Sequence, residues 1–343
     1  DTYLPKLVRA GQRVAICDQL EDPKQTKKIV KRGVTELVTP GVSYNDTVLD
    51  HKRNNFLASL HFTKTNVGVA FLDISTGEFL LSQGHHEYIG KLLQSFSPSE
   101  VLVQKQFHKK CLEEFGSKLF ITTLEDWVYT FEFSQDKLLT HFGTLSLKGF
   151  GVDTLEVGTV AAGAILHYLS ETHHHHIKHI ANLQRIEENN YVWMDRFTIR
   201  NLELFHSASE GATTLADVID YTITPMGARL LKRWMAFPLK NKIDIEERHV
   251  AVDFFVNNDT NDLQVNIKNI GDLERLITKV ATARINPREV VSLNKALLAL
   301  QPVKTYCEDS NNHTLIKLAG KIDLCQSVTQ RISKEINIEA PLA

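Results

Sequence analysis

Apolar positions in the first 44 residues form two short runs and no helical repeat. The runs at 14–17 (VAIC) and 34–38 (VTELV) predict two short strands, the first of them buried. Between them, Asp22 followed by Pro23 is a typical helix start, and Gly33 is a typical helix end. The pattern therefore predicts a small α/β piece at this end of the chain.

Short apolar runs alternate with amphipathic stretches from residue 54 to residue 145. Residues 56–62, 67–74 and 78–82 predict three strands of an antiparallel meander. Residues 86–96 have apolar side chains at helical spacing, and residues 101–103 predict another buried strand. This order of elements is that of a ribonuclease-H-like sheet, partly parallel and covered by helices.

The pattern becomes almost wholly helical from about residue 188 onward. Three helix starts are predicted by capping signals at Thr224-Pro225, at Asp244 with Glu247, and at Asn286-Pro287. The third of these helices is predicted to end at Pro302 and to bury one face, formed by Leu293, Ala296, Leu297 and Leu300.

The helix that starts at Pro225 carries a separate apolar stripe. The stripe is predicted to contact the core, with basic side chains pointing away from it. Its residues are Met226, Leu230, Leu231 and Trp234, and the basic residues are Arg229, Lys232 and Arg233.

Composition is that of a folded globular chain with no overall bias toward nucleic acid. Of 343 residues, 43% are hydrophobic and 23% are charged, and at about 150 residues per domain this length predicts two or three domains. The 39 Lys and Arg against 41 Asp and Glu give a net charge of −2, so any basic surface must be local.

Targeting and redox signals point to the cytoplasm. No apolar run approaches the roughly 20 residues that a membrane helix needs. Four cysteines are widely scattered without a CxxC pair, which is typical of reduced thiols. Because the sequence opens at Asp1 without Met and stops at Ala343 without a terminal signal, we expect it to be a fragment.

The sequence lacks the residues that nucleotide binding and nuclease chemistry usually need. No GxxxxGK[ST] phosphate loop occurs. A two-metal nuclease on the predicted sheet needs paired carboxylates, but the first strand, FLASLHF, has none and the fourth ends at Gln104-Lys105. Asp73 and Glu87 remain without partners. A structural and binding version of the fold is therefore favoured, with a metal-dependent nuclease as the alternative.

A histidine-rich run, HHHHIKH at 173–179, interrupts the pattern. His173, His176 and His179 have a spacing that could bind zinc or nickel on a helix. Because no acid or cysteine follows Glu171 closely, a solvated linker is the favoured interpretation.

A basic stripe is the best candidate for contact with DNA. The predicted helix after Asp22 has five cations at i, i+3, i+4, i+7 and i+8, and no acid occurs from residue 23 to residue 35. Such a face could lie along a phosphate backbone, and the alternative is a solvated helix face. The stripe is formed by Lys24, Lys27, Lys28, Lys31 and Arg32.

Several segments resemble the MutS family of DNA mismatch repair proteins, in order and in spacing. YLPKL at 3–7 and VAICDQLEDP at 14–23 resemble the end of that family's mismatch-binding domain, and VTPG at 38–41 resembles its exit. TPMGARLLKRW at 224–234, followed by Pro238-Leu239, resembles the opening helix of the core domain. NIGDLER at 269–275 fits the same core.

The resemblance implies a multidomain fold. Residues 1–44 would be the C-terminal part of a mixed α/β mismatch-binding domain, and residues 45–172 a ribonuclease-H-like α/β connector. Residues 173–187 would be a linker, and residues 188–343 the first part of an all-α core and lever domain.

The resemblance also implies a function for the parent protein. That protein would be a cytoplasmic homodimer and a weak DNA-dependent ATPase that binds mismatched duplex DNA and, with ATP and Mg, recruits MutL. The Phe-x-Glu mismatch-reading motif, the clamp and the ATPase domain have no counterpart in these residues. We therefore expect a fragment that is not an enzyme and has no cofactor, no metal ligands and no catalytic residues. A helical scaffold protein without a role in repair is a third hypothesis for the function.

Overall fold

The chain forms two compact units in a computed structural model. The model describes residues 3–21, 29–116, 119–205, 207, 209 and 211–339. The units are Asp1–Ile186, which is mixed α/β, and Glu187–Ala343, which is helical. Among the described residues no helix is long and apolar enough to cross a membrane.

The first piece of the chain is a short helix followed by a hairpin. Helix α1 (Leu4–Arg9) precedes strands β1 (Val14–Gln19) and β2 (Arg32–Val38), which pair antiparallel with Val14 opposite Val38. Both predicted strands are confirmed. The prediction that the first is buried is wrong, because β1 residues are exposed or half-buried.

The predicted helix between these strands does not reach its predicted end. Residues 22–28, which include its start, lie outside the described residues. Its end at Gly33 is wrong, because Gly33 pairs with Asp18 within the hairpin. Antiparallel pairing with β1 places Gly33 in a strand, and this contact outweighs the local preference for a helix end.

A six-stranded sheet forms the centre of the first unit. Its order is β7-β6-β3-β4-β5-β8, in which β3, β4 and β5 are antiparallel neighbours and the other three run parallel to the strand beside them. The predicted meander and its position are confirmed. The strands are β3 (Leu57–Phe62), β4 (Val67–Asp73), β5 (Glu78–Gly84), β6 (Glu100–Gln104), β7 (Ile121–Leu124) and β8 (Gln184–Arg185).

Helices cover this sheet, and one of them is almost wholly buried. Besides α1, the α-helices described in this unit are α2 (His86–Phe96), α3 (His108–Phe115), α4 (Phe131–Phe142) and α5 (Glu156–Glu171). The first of these matches the predicted helix at 86–96. Helix α5 packs between the sheet and α4, with buried residues on all its sides, which explains its nearly continuous apolar sequence.

The second unit is built from nine described helices. They are α6 (Arg196–Asn201), α7 (Leu215–Ile219), α8 (Pro225–Ala236), α9 (Lys242–Asn257), α10 (Asn261–Ile270), α11 (Leu273–Ala281), α12 (Pro287–Glu308), α13 (His313–Ala319) and α14 (Gln326–Glu335).

Two of the three predicted helix starts in this unit are confirmed. The Thr224 hydroxyl accepts the Gly227 N–H at 3.1 Å, and Asn286 forms a capping box with Glu289. The capping box predicted at Asp244 is wrong. Asn241 caps α9, and Asp244 therefore lies within the helix.

Pro302 does not end the longest helix. Helix α12 continues through it to Glu308, although a proline removes one backbone hydrogen bond. The last turn buries Cys307 in a small cluster with Leu315 and Ala319 of α13. Tertiary packing therefore sustains the helix beyond the proline.

Candidate functional site

The central strand of the sheet holds no acid at the position where a nuclease would need one. Ser59 lies in the middle of β3 and is buried, with its hydroxyl 3.3 Å from that of Tyr129. Burial raises the pKa of Tyr129, so its hydroxyl stays protonated. This part of the sheet is a packed core with a neutral polar pair.

Asp73, at the end of β4, organises the local backbone. Its Oδ1 accepts the Ser75 N–H at 2.9 Å and the Ser75 hydroxyl at 2.7 Å. Its Oδ2 accepts the Asn54 amide at 2.8 Å and the Asn55 N–H at 3.2 Å. Glu87 is exposed on α2, and the described part of the chain contains no group of three potential metal ligands. The nuclease alternative is not supported.

Only part of the basic stripe falls within the described structure. Lys24, Lys27 and Lys28 lie outside the described residues. Lys31 forms an exposed ion pair with Glu21 at 3.7 Å, and Arg32 begins β2. Arg32 is therefore not helical, which corrects that part of the predicted stripe.

Two histidines of the HHHHIKH run are structural contacts. His174 is buried, and its Nε2 lies 3.2 Å from Oε1 of Glu36 in β2. His179 Nε2 lies 2.8 Å from the carbonyl oxygen of Ile74. The segment is not helical, so the spacing that a helical metal site needs is not realised. A solvated linker is equally wrong for these two residues, because the fold brings β2 and the residue that follows β4 against them.

Acid should destabilise the first unit through two half-buried histidines. Burial lowers the pKa of His141 and of His179, each of which contacts a backbone carbonyl. The unfolded chain, with a histidine pKa of about 6.5, therefore takes up protons first. Stability should be full above this value and fall as the pH drops through the lowered pKa values of the folded chain.

Urea unfolding at pH 7.5 and at pH 5.5 checks this prediction. The midpoint of the first unit should be lower at the acidic pH, and His141→Gln, whose amide can still donate to Ile180, should reduce the difference. An equal pH response of the parent and of this variant would contradict it.

The second unit contains a buried arginine that sequence reasoning assigned to the wrong face. Arg229 of α8 donates to both carboxylate oxygens of Asp272, at 2.9 and 2.7 Å, and to Glu274 at 2.6 Å. Burial alone would lower the pKa of Arg229, but the two carboxylates outweigh it and the net shift is upward. This network joins α8 to the start of α11.

Two residues of the apolar stripe of α8 are exposed, while Met226 and Leu231 are half-buried. Leu230 is 47% exposed and Trp234 is 42% exposed, whereas Arg229 is buried. The prediction that the stripe is a core contact is wrong for these two residues. The guanidinium carbon of Arg248 lies 3.6 Å from the centroid of the Trp234 ring. The buried face of α8 therefore includes the ion-paired Arg229 together with Ala228 and Ala236.

Glu100 is the buried carboxylate that sequence reasoning missed. It lies fully buried at the start of β6 and accepts four hydrogen bonds. Burial and this carboxylate raise the pKa of Tyr168, so Tyr168 remains a donor. The sequence signal that could have identified this buried acid is its position directly before the apolar run VLV at 101–103.

Comparisons with known proteins agree along the whole chain. Models of MutS domain I, MutS domain II and MutS domain III match residues 1–47, 55–181 and 197–343. The DNA mismatch repair protein MutS of Christiangramia forsetii is 56% identical over 344 residues, covering 100% of this chain and 40% of that protein. The proteins of the same name from Flavobacterium psychrophilum and Parabacteroides distasonis are 55% and 54% identical, covering 100% and 99% of this chain and 40% and 39% of the relatives.

Proposed function

The chain belongs to the MutS family of DNA mismatch repair proteins, and from that premise we propose that it is the part of a mismatch sensor that connects DNA reading to the response. The observation that carries the proposal is the match of three successive MutS domain models in their order along one chain. The chain spans about 40% of the length of the curated relatives it matches. Binding of mismatched duplex DNA and repair signalling are therefore proposed for the longer protein.

We assign three roles along the chain. Residues 1–44 are the end of the mismatch-binding domain, residues 45–172 the connector, and residues 188–343 the first part of the helical core. The segment 173–187, between connector and core, packs on the first unit as far as Ile186. The sheet order, with two parallel strands beside the first strand of an antiparallel meander, supports a ribonuclease-H-like connector. The first strand of that meander carries no acid, which supports a binding role without nuclease chemistry.

Partners and cofactors belong to the longer protein. We propose that it acts in the cytoplasm as a homodimer, uses ATP and Mg as a weak DNA-dependent ATPase, and recruits MutL, with the connector as the docking domain. Residues 1–343 contain no phosphate loop, which supports a purely mechanical and docking role for this part.

A chimera tests the proposed function. Replacing the matching segment of the Christiangramia forsetii protein with this chain should restore a low mutation rate in a strain that lacks MutS. The same chimera carrying Gly149→Ala, an exposed position with open space around it, should behave identically. A mutation rate as high as that of the strain without MutS, from a folded and expressed chimera, would contradict the proposal.

The basic stripe is the proposed DNA-backbone contact of this chain. Changing Lys27, Lys28 and Lys31 to Glu should remove most binding to a duplex, with or without a mismatch, because phosphate contacts carry no sequence information. If the five stripe cations all engage, the log–log salt slope of the parent is at most about −4 to −5.

Fluorescence anisotropy over a salt series measures both quantities. Lys109→Glu, an exposed cation of α3, is the matched control and should leave the slope unchanged. Equal affinity of the triple variant and the parent would show that the stripe is only a solvated face.

A further inference from the structure

Strand β2 carries the chain from the hairpin into the connector, and its last residues meet two buried polar side chains. Most of the hairpin is exposed, and burial begins only at Glu36 and Val38 near the end of β2. The position of the hairpin therefore depends on contacts made at this end.

Glu100 gathers hydrogen bonds from both sides of the junction. Its Oε2 accepts the Thr39 hydroxyl at 2.5 Å and the Gly41 N–H at 3.1 Å, both from the segment that follows β2. Its Oε1 accepts the Thr122 hydroxyl at 2.6 Å and the Tyr168 hydroxyl at 2.7 Å, both from the connector. All four acceptor positions of a carboxylate are therefore in use.

The close approach of the two segments depends on a glycine. A Cβ atom at Gly41 would lie 2.7 Å from Cβ of Glu100 and 2.9 Å from Cδ1 of Leu57. Arg13, which precedes β1, adds positive charge by donating to the Thr122 hydroxyl at 2.6 Å. Residues before β1 and after β2 thus converge on one carboxylate.

His174 holds the same strand from another direction. Its Nε2 contacts Glu36 of β2, and its Nδ1 lies 3.0 Å from the Thr172 hydroxyl. The Thr172 carbonyl also accepts the Leu37 N–H at 3.2 Å. The ring of Tyr44 packs against His174 at a centroid distance of 5.4 Å.

We propose that Glu100 and His174 form a double latch that fixes the β1–β2 hairpin on the connector, so that the two move as one body. A buried carboxylate that accepts four neutral donors has a cost that a simple apolar contact would avoid. Its hydrogen bonds fix the orientation of the segment that follows β2, because each of them depends on an angle as well as a distance. The latch converts the exit of β2 from a flexible hinge into a rigid connection through which a displacement of the hairpin is carried into the sheet.

Amide exchange and a distance measurement on the full chain test the latch. Nitroxide labels are placed at the exposed Cys17 of β1 and at Lys64→Cys in the β3–β4 turn, with Cys325→Ser in the background. Thr39→Val removes one donor to Glu100 and keeps the shape of the side chain. Its matched control is Thr35→Val within β2, whose hydroxyl bonds within the hairpin.

We expect Thr39→Val to replace a single narrow label-to-label distance with a broad distribution. The Gly41 amide should exchange roughly 10-fold faster or more, since its segment loses one of the two hydrogen bonds that hold it on Glu100 and opens more often. The Thr35→Val control should keep both parental values. Unchanged distances and exchange in Thr39→Val would overturn the proposal.

A second variant tests the other arm independently. His174→Phe keeps a ring beside Tyr44 but loses the contact with Glu36, and it should broaden the distance distribution, whereas His175→Phe at an exposed position should not. If Thr39→Val does not fold, the comparison of His174→Phe with His175→Phe tests the proposal by itself. Loss of the connector fold in both variants would also overturn the proposal, because the two residues would then belong to the core and not to a latch.

Discussion

Gly68→Ala should destabilise the first unit by about 3 kcal/mol or more, at the upper end of the cost of overpacking. A Cβ atom on Gly68 of β4 would lie 2.0 Å from the carbonyl oxygen and 2.3 Å from the carbonyl carbon of Val157. Both are backbone atoms at the start of α5, so a rotamer change cannot relieve the clash.

The start of α5 is also fixed by hydrogen bonds and therefore cannot retreat easily. Gln83 of β5 accepts the N–H groups of Val157 at 3.0 Å and of Gly158 at 3.3 Å. A Cβ on Gly158 would in turn lie 2.8 Å from the Ser82 carbonyl oxygen. Backbone therefore packs on backbone here, which is possible only with glycine on both surfaces.

Urea unfolding followed separately for the two units measures this effect. The midpoint of the first unit should fall sharply in Gly68→Ala, while the transition of the second unit stays in place. Gly149→Ala, where nothing lies within 4 Å of the added atom, should change stability by less than about 0.5 kcal/mol. Equal stability of the two variants would contradict this account of the packing.

Arg229→Met should be the most damaging single change in the second unit, with a loss of about 3–5 kcal/mol. It leaves the carboxylates of Asp272 and Glu274 without the guanidinium that they share, although Asp272 keeps a longer contact with Arg275 at 3.9 Å. Asp272 is 15% exposed at its side chain, so water compensates only partly. The uncompensated charge, more than the lost attraction, accounts for the expected size.

An exposed pair provides the comparison. Arg331 and Glu335 lie 3.0 Å apart on α14 with side chains 77% and 55% exposed, and Arg331→Met should cost about 0.5 kcal/mol or less. Equal midpoints for the two single arginine variants would show that the buried network is not what joins α8 to α11.

Several elements of both units could be predicted from sequence because their signals are local. The meander at 56–82, the helix at 86–96 and the capping box at Asn286 each depend on residues within a few positions of one another. Period-2 and period-3.6 patterns and cap residues act over that range. The motifs of the MutS family likewise lie in contiguous stretches, and the family matches confirm them.

Local signals failed where a distant partner decided the outcome. Gly33 was predicted to end a helix, but it lies in β2 because it pairs with Asp18 of β1. Helix α12 passes Pro302 because its last turn packs on α13. In each case the free energy of tertiary contacts exceeded a local preference of about 1–3 kcal/mol.

The sequence by itself determined the family, the order of the elements and the absence of a phosphate loop in these residues. Only the tertiary structure decided which charged groups lie inside. Glu100 meets Thr39 across 61 residues and His174 meets Glu36 across 138 residues. A charge enters the interior only where folding supplies its hydrogen-bond partners, and no pattern within a single helix or strand encodes partners that far away.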